Sequence, residues 1–87
     1  MANYDLRVRP SVWKDVEKIP KKDLKKILVR MESLRDESRP PGRVKLSGLE
    51  YYRIRQGDYR IVYEIGDGKM IITVGKVGHR GDVYRKK

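Results

Sequence analysis

The 87-residue sequence predicts an α+β fold in a single domain, residues 1–87. The expected order is an N-terminal strand, a two-helix hairpin, then a three-stranded antiparallel meander. All strands share one sheet, and the helices cover one of its faces. Three observations predict this. Residues 4–9 alternate apolar and charged; residues 10–34 carry helical spacing broken at Pro20; residues 50–77 are β-patterned and hold two hairpin signals, Gly57-Asp58 and Asp67-Gly68.

In the first strand Tyr4, Leu6 and Val8 share one face, and Asp5, Arg7 and Arg9 the other. Pro10-Ser11 opens a short helix whose apolar side is Val12, Trp13, Val16 and Ile19, with Trp13 assigned to the core. Pro20 ends it. The second helix carries Leu24, Ile27, Leu28, Met31 and Leu34 at spacings of three and four. Lys21, Lys22, Lys25 and Lys26 read as its solvated surface. Residues 38–42, Ser-Arg-Pro-Pro-Gly, form a loop.

The meander strands are expected at 50–56, 59–65 and 69–77. Two-residue turns at both hairpins place Tyr52, Ile54, Ile61, Tyr63, Ile65, Met70, Ile72 and Val74 on one apolar face. A one-residue slip would mix this face with charge, so the register is strongly specified. The opposite face then holds Arg53, Arg55 and Arg60 with Val62, Thr73, Gly75 and Val77. Arg55 lies directly across from Arg60, and like charges so placed destabilise a sheet. Gly75, expected beside Arg60, leaves room for a bound anion. Gly78 and Gly81 let Arg80 and Tyr84 bend toward the same face.

Composition agrees with an anionic partner. There are 22 Lys and Arg against 12 Asp and Glu, a formal charge of +10. The charge is not a tail: residues 1–42 hold 11 basic and 7 acidic groups, residues 43–87 hold 11 and 5. The absence of cysteine excludes disulfides and thiolate zinc, and a lone histidine, His79, excludes a multi-histidine metal centre. No apolar run is long enough to span a bilayer, and residues 1–5 show no signal-peptide pattern. A cytoplasmic protein is expected. Arginine forks suit phosphate and tyrosine suits base stacking, a pairing that favours single-stranded nucleic acid.

Four runs then carry a family pattern: Lys45-Leu46-Ser47-Gly48-Leu49; Tyr52-Arg53-Ile54-Arg55; Gly57-Asp58-Tyr59-Arg60-Ile61-Val62-Tyr63; and Val77-Gly78-His79-Arg80-Gly81-Asp82-Val83-Tyr84. In this order they resemble the RelE branch of the RelE/ParE toxin superfamily. The resemblance implies a toxin paired with a RelB-like antitoxin. Such a toxin enters the ribosomal A site, meets rRNA and mRNA there, and cuts the codon without metal or cofactor. A 2′-hydroxyl attacks the adjacent phosphate, leaving a 2′,3′-cyclic phosphate and a 5′-hydroxyl. Carried over by position, Arg53 and Arg55 match two basic strand positions and Arg60 the contact to the scissile phosphate. Arg80 matches the arginine that stabilises the transition state or leaving group, and Tyr84 the tyrosine that orients the nucleotide. Lys45 and His79 join Arg53, Arg55, Arg60 and Arg80 as RNA-binding residues.

One departure matters. Familiar members carry lysine where this chain has Arg53 and Arg55, and arginine stays protonated. The general base is therefore open, with Tyr84 and His79 the nearby groups of easier proton chemistry; His79 equally reads as an inert loop residue. Two other functions remain on this fold: a ParE-like inhibitor of DNA gyrase, and a degenerate homologue that binds antitoxin without cutting. The joint presence of Arg53, Arg60, Arg80 and Tyr84 favours the nuclease.

Overall fold

The computed structural model describes residues 3–46 and 50–79. The order is β1 (Asp5–Val8), α1 (Pro10–Asp15), α2 (Lys21–Ser33), β2 (Val44–Lys45), β3 (Tyr51–Gln56), β4 (Tyr59–Gly66) and β5 (Ile71–His79). Among the described residues five strands make one sheet in the order β1-β5-β4-β3-β2. β1 runs parallel to β5, and every other neighbour is antiparallel. The α+β prediction holds, with β2 as an additional two-residue edge strand.

Both helices cover one face, but each takes its own strands: α1 packs on β5, and α2 on β3 and β4. Pro10 begins α1, where its missing N–H costs nothing. Pro20 precedes α2 as its cap residue, and its carbonyl accepts the Leu24 N–H at 2.9 Å. Val12, Val16, Ile27, Met31 and Leu34 descend onto Tyr52, Ile54, Ile61, Tyr63, Ile72 and Val74, all buried. Among the described residues no helix is long and apolar enough to cross a membrane.

Trp13 is a correction: it is 51% exposed. In so short a helix Val12 and Val16, one turn apart, take the sheet-facing side. Trp13 sits about 100° round from Val12 and meets solvent. Leu28 is rotated out in the same way, at 38% exposure.

The first hairpin matches the predicted register throughout, Arg55 opposite Arg60 included. Gly57 takes φ +61, the conformation that a hairpin glycine supplies at the first central position. The second hairpin does not match. Its turn has four residues, Asp67 to Met70, closed by the Met70 N–H on the Asp67 carbonyl at 3.2 Å. Ile65 therefore faces Ile72 rather than Met70, and Tyr63 faces Val74 rather than Ile72. The shift is two residues, so the apolar face survives. Met70 leaves it for the turn, exposed and at φ 56.

A bulge between Val62 and Tyr63 then changes the parity. Gly75 is the extra residue, Val62 pairs with Lys76, and Ile61 pairs with Val77. Val77, expected on the outer face, is consequently buried under the helices. Gly78, not Gly75, stands opposite Arg60.

A polar cluster ties the loop after α2 to the sheet. Arg39 reaches Asp67 at 2.8 Å and Glu50 at 3.5 Å and lies over the Tyr52 ring. The Tyr4 hydroxyl donates to Asp67 at 2.6 Å, and the Tyr52 hydroxyl to Glu50 at 3.0 Å. The Arg39 and Tyr4 hydrogen bonds hold the Asp67 carboxyl below its usual range, and Tyr52 and Lys45 do the same for Glu50. Beneath them the buried Tyr63 hydroxyl donates to the Ser38 carbonyl at 2.8 Å. Burial pushes its phenol up to about 12.

Candidate nucleic-acid interface

The face of the sheet turned away from α1 and α2 holds three of the predicted arginines. On β3 alternation sends Tyr52 and Ile54 inward, so Tyr51, Arg53 and Arg55 point outward. On β4 it sends Ile61, Tyr63 and Ile65 inward, so Arg60, Val62 and Glu64 point outward. Arg53 stands opposite Val62, and Arg55 opposite Arg60. Arg60 is 9% exposed, Arg53 is half-buried and Arg55 is exposed. Arg53, Arg55 and Arg60 thus share one face of two adjacent strands, and the β5 residue opposite Arg60 is Gly78.

The other predicted site residues fall elsewhere. Lys45 pairs with Tyr52, which puts it on the helix side of the edge, and its Nζ lies 3.3 Å from Glu50. His79 follows Val77 in alternation and packs edge-on against Tyr59, ring centroids 5.5 Å apart. With Tyr59 it lines a cleft that also holds Asp15, Lys18 and Lys76. The structure therefore does not bring Lys45 or His79 together with the three arginines. The reason for His79 is the bulge at Gly75, which reverses the parity of every β5 residue after it. Arg80 and Tyr84 lie outside the described residues.

Sequence reasoning missed Arg9. β1 pairs Leu6 with Ile72 and Val8 with Val74, so Arg7 and Arg9 belong to the outer side. Arg7 is engaged by Asp5 at 3.2 Å. Arg9 lies over Gly75, so the gap once read as space for an anion holds a side chain of this protein. The alternation of residues 4–9 had marked Arg9 as outward; only the β1–β5 pairing reveals which strands it lies beside.

α1 has a part in holding this region. β5 loses its β1 neighbour after Val74, and the Asp15 carboxylate accepts the Val77 N–H at 3.1 Å on that open edge. The same carboxylate meets Lys76 at 3.5 Å. An exposed strand edge is thereby partly covered, and Gly78 is held opposite Arg60.

Against known proteins, the chain matches the family described as the ParE toxin of type II toxin–antitoxin systems over residues 6–84. It is 30% identical to the toxin RelG of Mycobacterium tuberculosis, covering 95% of this chain and 98% of that protein. It is 27% identical to a putative RelE toxin of Methanocaldococcus jannaschii, covering 94% and 96%. Its fold is similar to RelE in the RelE–RelB complex of Pyrococcus horikoshii, with a TM-score of 0.79 and 27% identity over 91% of this chain and 97% of that one. The isolated RelE toxin of E. coli aligns with a TM-score of 0.75 and 26% identity over 93% and 90%. The chain belongs to the ParE-type toxin family of type II toxin–antitoxin systems. Within that family it is RelE-like.

Proposed function

We propose that this toxin is a cytoplasmic endoribonuclease that cuts mRNA in the ribosomal A site and is held inactive by a RelB-like antitoxin. The observation that carries the reading is the patch of Arg53, Arg55 and Arg60, with Arg55 opposite Arg60 across one ladder. Guanidinium forks from two neighbouring strands are thereby offered to one phosphate.

The chemistry follows from the charge. A codon 2′-oxygen bonds to its own 3′-phosphorus while the bond from phosphorus to the next 5′-oxygen breaks. The 2′-hydroxyl proton leaves to a base and the 5′-oxygen takes up a proton, giving the cyclic phosphate and a free 5′-hydroxyl. Negative charge grows on the phosphorane oxygens, and fixed guanidinium groups stabilise it more than the ground state. Arg53 and Arg55 remain protonated and serve as electrostatic groups, not as the base. The base in this reading is Tyr84, since the His79 ring packs edge-on against Tyr59, and Arg80 acts at the leaving group. The ribosome supplies in-line orientation of the ribose.

Induced expression in a bacterium followed by mapping of mRNA 5′ ends tests the reading. Cuts inside translated codons are expected, with loss of about 100-fold or more in Arg60→Ala, the scale of one transition-state contact. Intact mRNA with broken DNA and filamentous cells would overturn it in favour of the gyrase inhibitor. Wild-type cutting by a folded Arg60→Ala variant would overturn the site.

A further inference from the structure

We infer that the outer face carries a second nucleotide subsite, built from Arg9, Tyr51 and Glu64, which takes the phosphate and base flanking the cut link. This rests on the reading of that face as RNA-binding.

Two strands and the junction between β1 and α1 contribute. Arg9 follows β1, and its N–H donates to the Val74 carbonyl at 3.0 Å. Its side chain then crosses β5 at the bulge. A Cβ on Gly75 would stand 3.6 Å from Arg9 Nε and 3.7 Å from its Cδ. A methyl group would only touch the arginine, whereas any longer side chain would displace it. The Nη2 group ends 3.9 Å from Glu64 Oε1 on β4. On the far side of Glu64, directly opposite it on β3, is Tyr51. Glu64 is thus flanked by a guanidinium and a phenol on one face.

The Arg9–Glu64 pair is loose. Its separation exceeds a hydrogen bond, and the two side chains are 55% and 44% exposed. Glu64 keeps Arg9 stretched across the sheet, and a phosphate, offering two oxygens to the fork, competes for it. Tyr51 lies on the same side as Arg53 and Arg55, where a base can stack on its ring. Along β4, Glu64 is four residues from Arg60, about 13 Å. One phosphate cannot serve both ends, so the subsite takes a neighbouring nucleotide.

The test is binding of a fluorescent single-stranded RNA hexanucleotide, 2′-O-methylated against cutting, at 50 and 200 mM salt. Arg9→Ala should weaken binding and lower the salt slope by about 0.7, so that its loss across this range is about 2.6-fold smaller than the wild type's. Tyr51→Leu should weaken binding about 5-fold or more with the slope unchanged. Glu64→Gln should tighten it, a gain that misfolding cannot produce. If Arg53→Ala and Arg55→Ala weaken binding while Arg9→Ala, Tyr51→Leu and Glu64→Gln leave it at the wild-type value, the subsite is refuted alone. If none of the five variants changes binding, the RNA reading of the whole face fails with it.

Discussion

Arg55→Glu separates the demands of stability from those of RNA binding. Arg55 and Arg60 form the first cross-strand pair beyond the one that closes the Gly57-Asp58 turn. Directly opposed Cβ atoms are about 5 Å apart. In general, two like unit charges about 6 Å apart at an effective dielectric of 40 to 80 repel by roughly 0.7–1.4 kcal/mol. Glutamate turns repulsion into attraction across the same ladder. Side-chain splay reduces both values, and measured cross-strand ion pairs contribute about 0.2–1 kcal/mol. The net expected gain is about 1 kcal/mol, or about 4–8 °C in Tm for a domain of this size. Arg55 is exposed, so the change leaves the core alone. Circular dichroism melts at low salt should show the rise, and at 1 M salt it should shrink, because the Debye length falls to about 3 Å. RNA binding should fall in the same variant. An unchanged or lower Tm at low salt would refute the argument that this pair is held at a cost.

Other outcomes follow from the core and the turns. Tyr63 has a folded pKa raised to about 12, so its contribution is full below pH 10 and is lost as pH rises from about 10 to 12. The loss is on the order of 2–3 kcal/mol. Tyr63→Phe should flatten that alkaline slope in chemical denaturation, while costing about 1–3 kcal/mol at neutral pH through the orphaned Ser38 carbonyl. Asp67 and Glu50 are lowered, so their contribution is present above about pH 4 and fades below it; Asp67→Asn should reduce the acid slope of stability. Met70 holds φ 56 at partial exposure, and Met70→Gly should raise stability by about 0.5–1 kcal/mol in the same denaturation assay.

Much of the sheet was legible because side-chain alternation has a period of two. The true second hairpin is shifted by two residues from the predicted one, and an even shift leaves every side chain on its face. That is why Ile65, Ile72 and Val74 reached the core although their partners were misassigned. The bulge was not legible. A glycine among alternating residues reads the same whether it is paired or extra, yet Gly75 reverses parity for Lys76 onward. From that single residue come the burial of Val77, the placement of Gly78 opposite Arg60 and the turn of His79 toward Tyr59. β2 is two exposed residues long and leaves almost no pattern, so Lys45 could not be assigned a face. Trp13 was misplaced because composition says only that tryptophan tends inward, whereas two valines one turn apart decide which side of α1 does. Arg53, Arg55 and Arg60 were legible together because a two-residue turn fixes its register.

The most direct examination is a structure of the toxin on a ribosome whose A-site codon is 2′-O-methylated and therefore uncut. The scissile phosphate is expected within hydrogen-bonding distance of Arg60, with Arg53 and Arg55 beside it on the face turned away from α1 and α2. A codon seated on the α2 side, against Lys25 and Lys26 and away from that face, would contradict it.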